Sequence, residues 1–326
     1  MPSSSERRAL VFAAVLTTGG VFAPRAEAQQ PQGFAVERFY PSAPGGGWFV
    51  MDDLRMHGTL GGAMALTVGY AHDPLRVTDG SKHLAVVSDQ AFTDFGFALT
   101  YDRWRLYLNL DVPLAIEGQS GTVGAYQFAA PSVDLGSNPD TVSDARIGAD
   151  GRIFGTETSP LRVGASAQWI IPNGNIAGGN RANYNTDATY RAMGRMLVAG
   201  DVGYFTYSAQ LGVHIRPLDD SPAPGSPQGS ELLFGAAGGA RVFGCGPGSA
   251  ALIVGPEIFG ATAFRSFFGS AGTALEGLLT SRFEGPTDRG PQLRMKLGAG
   301  TGLDQHFGAP EWRLVFAIEL LDHTRR

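Results

Sequence analysis

Apolar side chains recur at every second position over long stretches of this chain. From Trp104 to Ile116, the even positions are all apolar, while the odd positions include Arg105, Asn109 and Asp111. This period of two indicates β-strands that bury one face and solvate the other. We predict strands at roughly 60–72, 92–101, 104–116, 144–154, 161–171, 191–201, 203–215, 231–243, 250–263, 272–284, 291–303 and 311–321.

The length and spacing of these strands favour a membrane barrel over a soluble sandwich. Sandwich strands average about five or six residues, whereas a tilted membrane-crossing strand needs about nine to eleven. The predicted links alternate, with 102–103, 155–160 and 202 short and 73–91, 117–143 and 172–190 long. Short periplasmic turns and long extracellular loops produce this alternation. We therefore predict an all-β fold, a closed antiparallel transmembrane β-barrel of twelve strands with both termini in the periplasm.

The N-terminus has the pattern of a secretory signal peptide. Arg7 and Arg8 precede a mostly apolar stretch over 9–23, and Ala26-Glu27-Ala28 forms a small-x-small cleavage signal. The apolar stretch falls short of the ~20 residues that a membrane-spanning helix needs. We assign residues 1–28 to the signal, 60–322 to the barrel and 323–326 to a tail. Residues 29–59 are a lead-in, a plug of the lumen, or part of two extra strands that would, with 82–88, make fourteen.

Composition narrows the function classes. The net charge is −5, so a basic nucleic-acid surface is not expected. With Cys245 as the single cysteine, the chain cannot build a disulfide framework or a cysteine-based zinc site. We expect no cofactor and no metal site.

The two faces of the predicted strands divide into a lumen set and a lipid set. The residues predicted to line the lumen are all charged: Arg105, Asp111, Arg146, Asp150, Arg152, Arg162, Glu276, Arg282, Arg294, Lys296, Arg313 and Glu319. The residues predicted to face lipid are Trp104, Leu106, Leu108, Leu110, Phe205, Tyr207, Leu211, Leu297, Trp312, Phe316 and Ile318. Arginine outnumbers acid in the lumen set, which suggests either an anion-leaning pore or a wall cross-linked by ion pairs.

Three segments carry a resemblance to known barrels: residues 37–45, the hairpin at 94–103, and Asp144-Ala145-Arg146-Ile147-Gly148. Together they resemble the N-terminal barrel of myxobacterial OmpA-family proteins. The last segment also resembles outer-membrane transporter barrels of the phenol-degradation-pathway type. The first resemblance implies an anchor and the second a transporter. The peptidoglycan-binding domain that often follows OmpA-type barrels is not expected here, because the sequence ends soon after the last predicted strand.

The sequence offers little chemistry beyond the barrel. No G-x-S-x-G elbow is present, and His214 has no serine that stands out as its partner. We therefore do not expect this protein to be an enzyme. The loop 134–144 and Asp219-Asp220 could supply oxygen ligands to calcium, but their spacing matches no EF-hand.

We therefore predict a protein of the cell outer membrane that acts as a passive transporter or narrow pore for small solutes. Its expected partners are outer-membrane lipid, the barrel-insertion machinery and small solutes, without nucleic acid. The alternative is a structural, OmpA-like scaffold or surface-interaction protein with a filled lumen.

Overall fold

The computed structural model describes residues 33–56, 58–79, 82–123, 126–131, 144–172, 181–218, 228–244, 248–269, 272–287, 290–304 and 308–323. The predicted signal peptide, Cys245, Asp219-Asp220 and most of the candidate calcium loop lie outside these residues.

Twelve long strands form one closed antiparallel barrel, as the sequence predicts. These strands are β1 (Gly61–Asp79), β2 (Lys82–Tyr101), β3 (Trp104–Glu117), β7 (Ala145–Phe154), β8 (Arg162–Ile171), β10 (Arg191–Val202), β11 (Phe205–Ile215), β12 (Glu231–Phe243), β13 (Ala251–Ala263), β14 (Thr273–Glu284), β15 (Gln292–Asp304) and β16 (Trp312–His323). The short strands β4 (Gly121–Val123), β5 (Tyr126–Phe128), β6 (Ala130–Pro131) and β9 (Arg181–Ala182) pair outside the barrel wall.

Pairing of the first and last long strands closes the barrel. The register runs from Gly61 opposite His323 to His72 opposite Trp312. Each remaining strand pairs with its neighbours in chain order, so the barrel has no free edge. We call the end of the barrel where β3, β8 and β11 finish the long-loop end, and the opposite end the short-turn end.

Alternation determines which side chains enter the barrel. On β3, Trp104 and Leu106 are exposed on the outer surface, while Arg105, Tyr107 and Asn109 are buried. This apolar outer surface and polar interior are the arrangement of an outer-membrane barrel. Among the described residues, no helix is long and apolar enough to cross a bilayer.

The first connection differs from the prediction. Residues 73–91 do not form a long loop, because β1 continues to Asp79 and β2 begins at Lys82. The alternation is interrupted at Asp73, which adopts a φ of 50°, and the register shifts on either side of Leu75. The two shifts cancel, because Val77 opposite Leu84 restores the register of Ala71 opposite Gln90, but the irregular stretch between them hides the continuation of the strand from a search for a period of two.

The fourteen-strand alternative is wrong, since residues 33–56 add no strand to the barrel and 82–88 belong to β2. The first described residues lie at the long-loop end, where Val36 donates its N–H to Tyr184 O, whereas β16 finishes at the short-turn end. The predicted periplasmic N-terminus itself lies outside the described residues.

Candidate functional site

Residues 33–56, which we call the lumen segment, run through the interior of the barrel from one end to the other. At the long-loop end, Arg38 pairs with Glu231 at 2.7 Å. At the short-turn end, Arg55 pairs with Asp201 at 2.6 Å. The chain then reaches β1 and enters the wall. The wall therefore encloses a segment of its own chain.

Basic wall residues satisfy the backbone carbonyls of the lumen segment. Arg152 donates to Leu54 O and Met56 O, both at 2.9 Å, and Arg162 Nε donates to Asp53 O at 2.8 Å. Arg146 donates to Pro41 O and Lys296 to Trp48 O, both at 3.1 Å. Buried carbonyls need partners, and a segment outside the sheet has few from neighbouring strands. These guanidinium and ammonium groups supply them.

Glu257 of β13 satisfies two backbone donors of the lumen segment. Its carboxylate accepts hydrogen bonds from Phe49 N at 2.9 Å and Val50 N at 3.0 Å. Thr280 of β14 donates a further bond to the same carboxylate at 2.7 Å. The side chain of Glu257 is fully buried. It holds the middle of the lumen segment against the wall.

Ion pairs join acids of the lumen segment to the wall at two more places. Arg313 contacts Glu37 at 2.8 Å and Glu276 at 2.6 Å. Arg105 pairs with both Asp52 and Asp150. Each arginine thus has one carboxylate from the lumen segment and one from the wall.

Among the described residues, five inward glycines make room for side chains of the lumen segment. A Cβ atom at Gly164 would lie 2.8 Å from Leu54, one at Gly239 2.7 Å from Trp48, and one at Gly298 2.8 Å from Phe49. Carbon atoms pack at about 3.5–4.0 Å, so a larger residue would displace these side chains. The full set of such glycines is Gly96, Gly164, Gly235, Gly239 and Gly298.

Aromatic side chains of the lumen segment pack against both apolar and cationic wall groups. Phe39, Trp48 and Phe49 belong to one buried cluster that also contains wall residues such as Phe92 and Phe259. Arg313 lies over the Phe39 ring at 4.9 Å, and Lys296 over the Phe49 ring at 5.2 Å. Arg282 lies over the Trp48 ring at 5.2 Å. A cation at this distance is attracted to an aromatic face.

An apolar cluster covers the lumen segment at the long-loop end. Phe34 and Val36 are buried there with Leu75 of β1, Val86 of β2 and Tyr184. The extension of the first hairpin beyond its bulge thus supplies part of this cluster.

Asp187 binds the lumen segment beside that cluster. It accepts the Ala35 N–H at 2.8 Å and pairs with Arg216 at 2.7 Å. Burial favours the protonated form of Asp187, but Arg216 and Arg191 outweigh it and hold the pKa of the carboxyl well below its usual range.

Among the described residues, a cavity of about 480 Å³ lies at the short-turn end of the barrel, lined by residues that include Arg55, Arg105, Arg241, Asp201 and Glu284. Towards the long-loop end, a cavity of about 30 Å³ beside Tyr40, Asp111 and Arg191 has room for about one water. Between the two ends, described side chains of the wall and the lumen segment pack together in the interior, among them Trp48, Phe49 and Phe259.

The structure brings the sequence-predicted lumen residues together inside the barrel. Eleven of them are buried, and Asp111 is half-buried. The buried set is Arg105, Arg146, Asp150, Arg152, Arg162, Glu276, Arg282, Arg294, Lys296, Arg313 and Glu319. Of the predicted lipid set, Leu106, Leu211 and Leu297 are exposed by 62, 56 and 60 % of their surface.

The expected surplus of arginine is offset by acids that the sequence did not reveal. Asp94 pairs with Arg146 at 2.9 Å, and Glu231 pairs with Arg216 at 2.6 Å. Glu257 adds a third buried carboxylate. Among the described residues, buried acidic and basic side chains are almost equal in number. Glu257 was missed because its strand is apolar on both faces, although its position in the alternation is inward.

Comparison with known proteins identifies the fold. No family model matches this sequence. The resemblance to the OmpA family therefore has no support from a family model. No curated protein matches it either. An outer membrane channel from Pseudomonas putida F1 matches with a TM-score of 0.50 and 15 % identity, over 82 % of this chain and 98 % of that one.

Two further solved structures are more distant. The CymD monoaromatic hydrocarbon channel has a TM-score of 0.41 at 8 % identity, over 83 % of this chain and 90 % of that one. LpxR from Salmonella typhimurium has a TM-score of 0.37 at 12 % identity, over 78 % of this chain and 99 % of that one. The similarity to the Pseudomonas putida protein is one of fold, a closed outer-membrane-type barrel.

Proposed function

We propose that this protein is an outer-membrane channel for small solutes that its own lumen segment holds closed. In this proposal the long-loop end faces the cell exterior, and the protein reaches the outer membrane by means of a cleaved signal peptide. The channel conducts when the lumen segment leaves its position between the wall strands.

The observation that carries the proposal is the chemistry of the wall around the lumen segment. Small barrels are filled by their own wall side chains. Here a separate segment fills a twelve-stranded wall, and wall side chains bind its backbone by polar contacts such as Arg152 to Leu54 O and Glu257 to Phe49 N. Water can replace such contacts, so the wall exposed after displacement would be charged and hydrated. The near balance of buried charges argues for weak selectivity between anions and cations.

A permanently closed scaffold is the second candidate, and the buried aromatic cluster around Trp48 favours it. Displacing that cluster exposes apolar surface to water, at about 25 cal/mol per Å². A scaffold would use the lumen segment only to stabilise the wall.

Planar-bilayer conductance distinguishes the two functions. We would compare the full chain, a variant lacking residues 33–56, and the full-length double variant Asp52→Asn/Asp53→Asn, which neutralises the carboxylates that face Arg105 and Arg282 of the wall. Asp102→Asn is the matched control, because this carboxylate lies in an exposed turn. Each variant must first show a folded barrel by its different migration in gels before and after boiling.

The channel proposal predicts small, steady conductance in the deletion variant, frequent openings in the double variant, and a closed full chain and control. If both variants form folded barrels but neither conducts, the channel proposal is wrong and the scaffold function is favoured. Steady conductance of the unaltered chain would show that the lumen segment does not close the pore.

A further inference from the structure

A group of potential metal ligands lies on the outer surface of the barrel, towards the long-loop end. His72, Asp73 and Glu311 each offer one ligand atom, and these atoms all lie within 4.8 Å of one another. His72 and Asp73 are half-buried and Glu311 is exposed, so an ion could reach them from solution. None of the three contributes to the lumen contacts described above.

Strand register, and not chance proximity of flexible side chains, positions this group. His72 lies on β1 between Trp312 on β16 and Asp89 on β2, each directly opposite in its ladder. Glu311 N donates to His72 O at 2.8 Å, which fixes the backbone of Glu311 beside the histidine. Asp73 follows His72 at the bulge with its φ of 50°. Three strands thus converge on one imidazole.

Asp89 orients that imidazole. His72 Nδ1 lies 2.9 Å from Asp89 Oδ1, and Tyr70 donates its hydroxyl to the same oxygen. The ring is stacked with Trp312, with centroids 5.6 Å apart and planes 29° apart. With the Nδ1 proton donated to Asp89, Nε2 keeps its lone pair and lies 4.0 Å from Asp73 Oδ2. A carboxylate on one nitrogen and a free lone pair on the other is the arrangement of metal-binding histidines.

We propose that His72 Nε2, Asp73 and Glu311 bind a divalent transition metal ion of the Zn²⁺ class, with Asp89 as a positioning residue. Zinc bonds to nitrogen and oxygen are about 2.0–2.2 Å long, so the ligand atoms close in slightly around the ion. Water completes the coordination on the exposed side. The imidazole favours Zn²⁺ over Ca²⁺ and Mg²⁺, which prefer oxygen ligands alone.

One neighbouring contact competes with the ion. Arg76 Nη1 lies 3.3 Å from Glu311 Oε2. This pair is partly exposed, and such pairs are worth about 0–1 kcal/mol. A Zn²⁺ ion carries twice the charge of the guanidinium and can displace it or use the other carboxylate oxygen.

The test is calorimetric titration of ZnCl₂ into the refolded, metal-free full chain in detergent. His72→Ala should abolish one site. Asp89→Asn, which leaves all three ligands in place, should weaken binding by about 10- to 100-fold. His83→Ala is the matched control, since this exposed histidine lies on the same hairpin extension. The His83→Ala variant should bind Zn²⁺ as tightly as the wild type does.

A second readout uses Trp312. Ni²⁺ or Cu²⁺ bound at His72 should quench the fluorescence of the stacked indole, and Trp312→Phe should remove that quenching while leaving the Zn²⁺ affinity within a few-fold. Failure of the folded wild type to bind Zn²⁺ would overturn the proposal. Equal binding by the wild type and His72→Ala would do the same, as would a Ca²⁺ affinity that matches that for Zn²⁺.

Discussion

Phe49 of the lumen segment occupies the space that Gly298 of β15 leaves in the barrel wall. A Cβ atom at position 298 would lie 2.8 Å from Phe49 Cε2 and 2.8 Å from Val315 Cγ2. The wall and the lumen segment are therefore complementary in shape, and not only in charge.

This complementarity predicts that Gly298→Val forces Phe49 out of its position. Overpacking of a filled core costs about 1–3 kcal/mol, and here the lumen segment can move away more easily than the wall can deform. We expect a lower free energy of unfolding and more frequent openings in planar-bilayer recordings.

Gly194→Val is the control for this variant, because it makes the same substitution on a barrel strand where a Cβ would meet nothing within 4 Å. If Gly298→Val and Gly194→Val behaved alike, the contact between Phe49 and Gly298 would have no role in closing the lumen.

Glu257→Ala should loosen the middle of the lumen segment. The substitution leaves the N–H groups of Phe49 and Val50 without their acceptor. Each buried unsatisfied donor costs about 1–3 kcal/mol. We expect faster amide hydrogen exchange at residues 49 and 50.

Glu257→Gln retains one acceptor oxygen and should give an intermediate exchange rate at these two amides. Unchanged protection of both amides in Glu257→Ala would contradict the role assigned to this carboxylate.

The strands of the barrel could be predicted from sequence because alternation is a local property. Each strand shows its own inward and outward faces, as with Arg105 and Leu106, whatever its neighbours are. The prediction failed at residues 73–91, where the bulge at Asp73 interrupts the period of two. A local pattern gives no sign that the strand resumes beyond such an irregular stretch.

The place of the lumen segment could not be predicted in the same way. Residues 48–51 form an apolar patch without alternation, and the neighbouring sequence does not indicate which residues pack against it. Their partners are distant in sequence, as Glu257 is from Phe49. The charged faces of the wall indicate a polar interior, but only the contacts across the lumen, such as Lys296 to Trp48 O, show that those charges surround another part of the chain.

Asp187 makes the anchoring of the lumen segment depend on pH. Since its pKa is lower in the folded protein than in the unfolded chain, ionised Asp187 stabilises the folded state at neutral pH. That stabilisation falls by roughly 1.4 kcal/mol for each pH unit below about 3.9, until the folded-state pKa is reached. The variant Asp187→Asn should therefore be less stable than the wild type at pH 7, and the difference should shrink towards pH 3.

Urea unfolding of both proteins from pH 7 to pH 3 measures this effect. Asp102→Asn, in an exposed turn, should parallel the wild type at each pH. A stability difference between Asp187→Asn and the wild type that stayed constant with pH would show that the carboxylate is not stabilised by Arg216 and Arg191.

The outward position of Leu211 predicts a depth-dependent response to charge. Leu211 lies near the middle of β11, opposite Met196 and Phe234, and 56 % of its surface is exposed. If this surface faces lipid hydrocarbon, Leu211→Arg should lower the free energy of unfolding in bilayers by about 2–4 kcal/mol. Phe243→Arg places the same charge on the outer face at the short-turn end, where 63 % of Phe243 is exposed, and should cost only about 0–1 kcal/mol.

Because both side chains are exposed, a soluble barrel would tolerate the two substitutions equally. Urea titrations of both variants in lipid vesicles and in detergent therefore test whether lipid covers this belt. The difference between the variants should be present in vesicles and smaller in detergent, whose headgroups and water lie closer to the middle of the barrel.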